Sequence, residues 1–281
     1  MQIAKVFGLM TAMTLMLVAF GQYMGGSSGA VFAFVIAMAM NFGTYWFSDR
    51  AVMRMYRAKV IGPDDAPDLY RMVDRLRQKA ELPMPTVALA PAQQPNAFAT
   101  GRNAEHAVVC VTVGLMDVLD ARELEGVIAH ELAHIKHRHM LVGTLAAAMA
   151  GAIGLFASIA RWGFILGTGR DNDRGNPIVL LLMAIVAPIA AIVVQMAISR
   201  QNEFQADATA VRISGDKHGL ASALRRIESA AQRVPMAVNP AGAHLAIINP
   251  FSSGHAPAFA GLFRTHPSTE DRIAALEALQ L

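Results

Sequence analysis

Five consecutive residues, His130-Glu131-Leu132-Ala133-His134, hold the parts of a hydrolytic metal site. Positions i and i+4 of an α-helix stand one turn apart on the same face, so two imidazoles at this spacing can share one metal ion. The glutamate beside the first histidine can then take a proton from a water on that ion, which is the arrangement of metal-assisted hydrolysis by zinc. The flanks permit a helix. Asp120 followed by Glu123 has the spacing of a capping box, and neither Gly nor Pro interrupts residues 127–142. Gly126 is the weak position in the pattern.

Zinc in a hydrolase wants three protein ligands and one open position for water. Glu203 and Asp207 are again i and i+4, so their carboxylates share a helix face. One can ligate the metal while the other accepts a ring N–H from a ligand histidine and so holds its tautomer. The spacing leaves open which does which.

The rest of the chain must carry these helices to one place. Its 281 residues are 54% hydrophobic and only 16% charged, with a mean hydropathy of +0.38. Average soluble chains carry about 25% charged residues, so the shortfall points to membrane segments. A net charge of +3 in so apolar a chain suits a membrane surface and not nucleic acid, and no aromatic–basic interleaving suggests base stacking. The single cysteine, Cys110, excludes an internal disulfide and a multi-thiolate metal site. It lies in an apolar, strand-like run and reads as a buried structural residue.

Residues 3–20 and 30–47 are apolar runs joined by the Gly/Ser-rich stretch 21–29, and each approaches the length of a bilayer-spanning helix. Arg50, Arg54, Arg57 and Lys59 follow the second run, while the first loop holds no Lys or Arg. The positive-inside rule puts the chain after residue 50 in the cytoplasm. Residues 50–62 read as a helix leaving the membrane, and 66–80 as an amphipathic helix with Leu69, Met72, Val73 and Leu76 on one face. Thr86 to Ala90, Ala97 to Thr100 and the valine-rich Ala107 to Val113 read as strands of a small sheet. The metal helix spans 121–139. Apolar runs at 140–160 and 178–199 form a second hairpin that returns Arg200 beside His134. Its loop carries Arg161, Arg170 and Arg174, against the positive-inside rule if that loop faces out. Helices are expected at 200–213, 216–233 and 268–279, with an irregular stretch at 234–265.

His130-Glu131-x-x-His134, a hydrophobic hairpin, and then Glu203-x-x-Ala206-Asp207 together resemble the HtpX-type membrane zinc metalloproteases, relatives of the CAAX prenyl proteases. Pro95-Asn96-Ala97-Phe98-Ala99-Thr100-Gly101, Ser199-Arg200, and Thr265-His266-Pro267-Ser268 with Arg272 agree, so the resemblance runs through nearly the whole chain. Gln201-Asn202 departs from it, standing where more basic residues are expected. The resemblance implies a gluzincin with one zinc per chain, held by His130, His134 and Glu203, with Glu131 as catalytic acid/base. It implies a bacterial inner-membrane protease with a cytoplasmic site, acting in stress-linked quality control of misfolded or damaged membrane proteins.

The fold class expected is α+β: a mainly helical integral membrane protein whose gluzincin-type catalytic domain has a small β-sheet and two hydrophobic helical hairpins. The organisation expected is a transmembrane hairpin (1–49), the first part of the catalytic domain (50–139), the second hairpin (140–199) and the second part of the catalytic domain (200–281). A developing oxyanion needs a donor besides the metal. All four tyrosines lie far upstream, which excludes a downstream Tyr; His266 is the candidate, with Arg272 to orient it. Asn96, Ala97, Phe98 and Ala99 are candidates for an exposed strand edge that binds an extended peptide through its backbone. Partners expected are membrane-protein or peptide substrates and the lipid bilayer. Two rival readings are a membrane scaffold or transporter with a structural zinc site, and a catalytically inactive homologue. The single Cys and the neighbouring Glu131 argue against the first, since structural zinc sites are usually closed and Cys-rich.

Overall fold

The computed structural model describes residues 2–145, 200–231, 233 and 267–280. The first helix, α1 (Gln2–Met55), is two helices joined at Gly25–Gly26, where Gly26 takes φ +59. Only glycine enters that region freely, so the break occupies two residues and not the whole stretch 21–29. The two limbs fold back on each other. A Cβ on Gly21 would lie 2.3 Å from the Gly29 carbonyl oxygen, and one on Gly29 would lie 2.2 Å from that of Gly21. Small residues thus let the backbones meet, as in membrane helix pairs. Asn41 adds a hydrogen bond to Thr14 Oγ1 at 2.9 Å across the pair. Val6–Tyr23 and Gly25–Met55 are each long and apolar enough to cross a membrane. Phe7, Leu15, Tyr23, Val31, Phe32 and Val35 point their apolar surface outward along them.

The helix ends at Met55, earlier than the 50–62 helix expected from sequence. Arg57 adopts φ +51 and the Ala58 N–H reaches back to the Met53 carbonyl at 2.9 Å, a turn that closes a helix and redirects the chain. Residues Lys59–Val60 then form β1. The strands β2 (Thr86–Ala90), β3 (Ala97–Thr100) and β4 (Val108–Thr112) complete a sheet of order β1-β2-β4-β3. β2 and β4 are parallel, while β1 and β3 are antiparallel to their neighbours. A short helix, α3 (Val113–Val118), follows β4 directly, capped by Thr112.

Alternation along the strands divides the sheet into two buried faces. Ala88, Ala90, Phe98, Val108 and Cys110 pack against Val52 and Tyr56 at the end of α1. Val87, Ala97, Ala99, Val109 and Val111 face the main core, built with α2 (Pro67–Lys79), α4 (Ala121–Lys136), α5 (Arg200–Ser214), α6 (Lys217–Ala231) and α7 (Thr269–Ala278). One core therefore draws on chain from both sides of residues 146–199. The second hairpin expected at 140–199 lies outside the described residues from 146 onward, as do residues 234–265. The part that is described, residues 139–145, is helical, and its Leu141, Val142 and Leu145 pack on Val6 and Met13 of α1.

The central helix α4 begins on a full capping box: Asp120 accepts from the Glu123 N–H at 2.9 Å, and the Glu123 carboxylate accepts from the Asp120 N–H at 3.0 Å. Such a cap contributes about 1 kcal/mol. Glu123 is buried and also accepts from Ser222 at 2.6 Å and Arg226 at 2.7 Å, which fastens α4 to α6. Gly126 is where those two helices come closest. A Cβ there would stand 2.8 Å from the Leu220 backbone nitrogen and 2.9 Å from its Cα. Propensity alone predicts that Gly126→Ala stabilises the helix. We expect the reverse, a loss of about 1–3 kcal/mol from overpacking, read as a lower melting temperature of the detergent-solubilised protein.

Candidate active site

Nearly every side of α4 is buried, including His130, Glu131 and the apolar residues between them and Ile135. The helix lies against β3 on one side and α5 on another. Because α5 presents Glu203 and Asp207 on the face it turns to α4, four chemistry-bearing side chains meet away from water: His130 is 2% exposed, Glu131 4%, Glu203 5% and Asp207 2%.

His130 Nε2 and His134 Nε2 lie 3.0 Å apart. Glu203 brings Oε2 to 3.6 Å from the first and Oε1 to 3.5 Å from the second. These three side chains form a cluster that could hold a metal ion. Donors placed tetrahedrally about 2.0–2.1 Å from a zinc ion are separated by about 3.3 Å, so the triangle has the dimensions of three zinc ligands. Two imidazoles and one carboxylate are also a donor set that zinc favours, and they leave a fourth position for water or substrate.

The two carboxylates of α5 divide the work. Asp207 Oδ1 lies 2.9 Å from His130 Nδ1, so the ring donates there and turns Nε2 toward His134 and Glu203. Arg272, on α7, forks Asp207 through Nε at 2.8 Å and a terminal nitrogen at 2.6 Å. It is 1% exposed, and it also stands 3.7 Å from Glu203. Burial works to raise the Asp207 pKa, but the Arg272 charge and hydrogen bonds outweigh it and hold the carboxyl at about 2. Burial pulls the His130 pKa down, but the hydrogen bonds to Asp207 and Glu203 dominate and lift it to about 9. The same field favours any cation at His130 Nε2. His134 is lowered to about 3, chiefly by burial, so it is a neutral imidazole with a lone pair to offer. Glu131 is raised to about 7, chiefly by burial, despite a hydrogen bond from the Ala99 N–H.

Of the residues singled out by sequence, His130, Glu131, His134, Glu203, Asp207 and Arg272 converge. Arg272 reaches Asp207, where the sequence suggested an orienter for His266. His266 itself lies outside the described residues. Asn96, Ala97, Phe98 and Ala99 do occupy an edge of the sheet, but they are 2%, 1%, 2% and 6% exposed and not open to solvent. The reason is packing on both faces, with α4 over one and the Tyr56 ring 4.4 Å from Phe98 on the other.

Sequence reasoning missed His139, which stands 3.2 Å from His134, ring nitrogen to ring nitrogen. In a continuous helix the fifth residue onward points about 140° away, so periodicity carries no signal for this contact. The helix expected to run to 139 ends at Lys136, Arg138 takes φ +58, and the turn swings His139 back over His134.

The sequence matches the description "Peptidase family M48" over residues 63–280. It is 52% identical over 276 residues to a protein named "Protease HtpX homolog" from Gemmatimonas aurantiaca, covering 98% of each chain. It is 48% identical over 275 residues to a protein of the same name from Pyrococcus furiosus, covering 97% of this chain and 94% of the other. Among solved structures, the crystal structure of S. mikatae Ste24p is similar in fold, with a TM-score of 0.52 at 17% identity. That match covers 98% of this chain and 65% of the other, so this chain spans just under two thirds of that protein's length.

Removing one partner of a buried ion pair leaves an uncompensated charge and costs about 3–5 kcal/mol. Arg272→Gln should therefore destabilise the metal-free protein by an amount of that order, measured as a fall in melting temperature. Arg272→Lys should recover only part of it, because a single ammonium cannot fork a carboxylate.

Proposed function

The chain belongs to peptidase family M48 and is a membrane-associated metallopeptidase, and from that premise we propose that it is a zinc-dependent endopeptidase whose metal is held by His130, His134 and Glu203. The observation that carries this reading is the triangle of two imidazole nitrogens and one carboxylate, with edges of 3.0, 3.5 and 3.6 Å, beside a buried glutamate.

Zinc, when bound there, supplies a Lewis acid that polarises a scissile carbonyl and acidifies water. The chain's own residues supply the proton traffic and the orientation. Glu131, lifted by burial to about 7, is matched to accept the proton of an attacking water near neutral pH and to return it to the leaving amine nitrogen. Asp207, fixed by Arg272, holds the His130 ring with Nε2 toward the metal position. His266 is proposed as the further donor to the oxyanion. On β3, the Asn96 carbonyl accepts from Thr112, and Phe98 and Thr100 lie opposite Cys110 and Val108. In an antiparallel ladder the alternate residues Ala97 and Ala99 then turn their backbone groups to the edge, where the Ala99 N–H is taken by Glu131 and an extended peptide is proposed to pair with the Ala97 groups and the Ala99 carbonyl. Backbone pairing reads shape more than side chains, which suits substrates of many sequences.

Substrates proposed are misfolded or damaged membrane proteins, cleaved at the cytoplasmic face of a bacterial inner membrane under stress. The basic residues after the second apolar run support that orientation. Aromatic side chains mark a membrane boundary at the same level: Phe42, Trp46 and Phe47 are exposed, Arg50 lies over Phe47, and Arg102 of the catalytic part lies 4.8 Å over Trp46. Such belts sit at membrane–water boundaries. The domain division at 49, 139 and 199 belongs to the same proposal.

Two measurements test this. In full-length protein purified under chelator and reloaded with zinc, Glu131→Gln should bind zinc as the unsubstituted chain does and cleave peptide about 10²–10⁴-fold more slowly. Glu203→Ala should lose the zinc. Full activity in the first variant or unchanged zinc affinity in the second refutes the assignment. For orientation, a Cys replacing Ser27 should react with an impermeant thiol reagent in intact cells, while one replacing Glu105 should react only after permeabilisation. The opposite pattern inverts the topology.

A further inference from the structure

His130 and His134 aim the same ring nitrogen at one point, yet they are backed differently. Behind His130 stands a carboxylate, Asp207, forked by Arg272. Behind His134, among the described residues, the contact is an imidazole and not a carboxylate: its Nδ1 meets Nδ1 of His139 at 3.2 Å. Two neutral imidazole nitrogens at that distance bond only if one carries the proton and the other a lone pair. If His139 carried it, His134 would be protonated on Nε2, the nitrogen that faces His130 Nε2 and Glu203.

The proposed metal decides the direction. A metal at His134 Nε2 needs the lone pair there, which puts the His134 proton on Nδ1. His134 Nδ1–H then donates to His139 Nδ1, and the His139 proton is on Nε2. Gln205 engages the neighbouring ring, its amide nitrogen 3.4 Å from His137 Nδ1. His137 closes the chain at its other end: Nδ1 accepts from the amide, and Nε2–H donates to Thr209 Oγ1 at 2.9 Å. The His137 and His139 rings stack at 5.4 Å with 23° between their planes, which keeps both in register with the amide. His139 is 7% exposed, so water does not compete for its Nδ1.

We propose that His139, stacked on His137, is a positioning residue that fixes the tautomer of His134 and so sets the zinc affinity of the site. The site then has an asymmetric outer layer, charged behind one histidine and neutral behind the other. The geometry that permits this is the turn at Arg138, which breaks the helix between His134 and His139. The inference rests on the reading of His130, His134 and Glu203 as zinc ligands.

The test uses full-length, detergent-solubilised protein, with zinc affinity read by competition against a chelating dye and the melting temperature of the metal-free protein read alongside. His139→Phe keeps a ring of similar volume and removes the acceptor. It should weaken zinc binding about 10–100-fold, with a modest fall in the metal-free melting temperature because the His134 N–H loses its buried acceptor. His139→Gln restores an acceptor oxygen and should bind zinc within a few-fold of the unsubstituted chain. Unchanged affinity in His139→Phe overturns the proposal, and so do equal losses in both variants, which would assign His139 to packing. If Glu203→Ala loses zinc while His139→Phe does not, the metal site stands and only the positioning role falls. If the unsubstituted chain binds no zinc, both readings fall together.

Discussion

A carboxylate buried from water must be matched, and Asp207 is matched twice: by the His130 ring at 2.9 Å and by the Arg272 fork at 2.6 and 2.8 Å. This arrangement joins α4, α5 and α7, elements that lie on both sides of residues 146–199. Any relative movement of the three helices separates charges that have no water to turn to. The position of the His130 ring is therefore coupled to the stability of the fold. Glu203 comes to the triangle on the same helix as Asp207, one turn earlier, so the interaction that locks one carboxylate also delivers the other.

The opposite end of α4 is held by a second buried acid. Glu123 caps its own helix and accepts from Ser222 and Arg226 of α6, while Gly126 lets the α6 backbone approach to where a side chain would stand. A helix clamped at both ends by charge and along its side by close backbone contact cannot rotate. The orientation of His130, Glu131 and His134 is set by these contacts more than by the intrinsic preference of the segment for helix, which is weak at Gly126. Beneath it, β3 stays at the edge of the sheet, and its Ala99 N–H is engaged by Glu131. The proposed general base and the strand proposed to take substrate are thus in direct contact.

The membrane part and the catalytic part are not separate bodies joined by a tether. The end of α1 forms one layer over the sheet through Val52 and Tyr56, and the helical residues 139–145 pack on the hairpin through Leu141, Val142 and Leu145. The chain leaves the metal helix and meets the apolar hairpin within a few residues.

Much of the molecule was legible from residue order. Strands β2 and β3 begin and end where alternation and turn residues place them, and the capping box forms as its spacing requires, because these features depend on neighbours within a few positions. The i, i+4 pairs at His130–His134 and Glu203–Asp207 share a face for the same reason. Other features were not legible. The strand β1 is two residues long and carries no pattern to read, and the helix ends at Met55 and Lys136 depend on left-handed turns at Arg57 and Arg138, residues with no preference for them. Spacing left open which of Glu203 and Asp207 reaches the metal position, and only the resemblance pointed to Glu203; the fork of Arg272 on Asp207 and the return of His139 over His134 appear only in the packed structure. Residue order determines what a helix face can offer over one or two turns. Which faces meet, across separations of 65 to 142 residues, is decided by how the helices pack around a shared core and satisfy the charges buried with it.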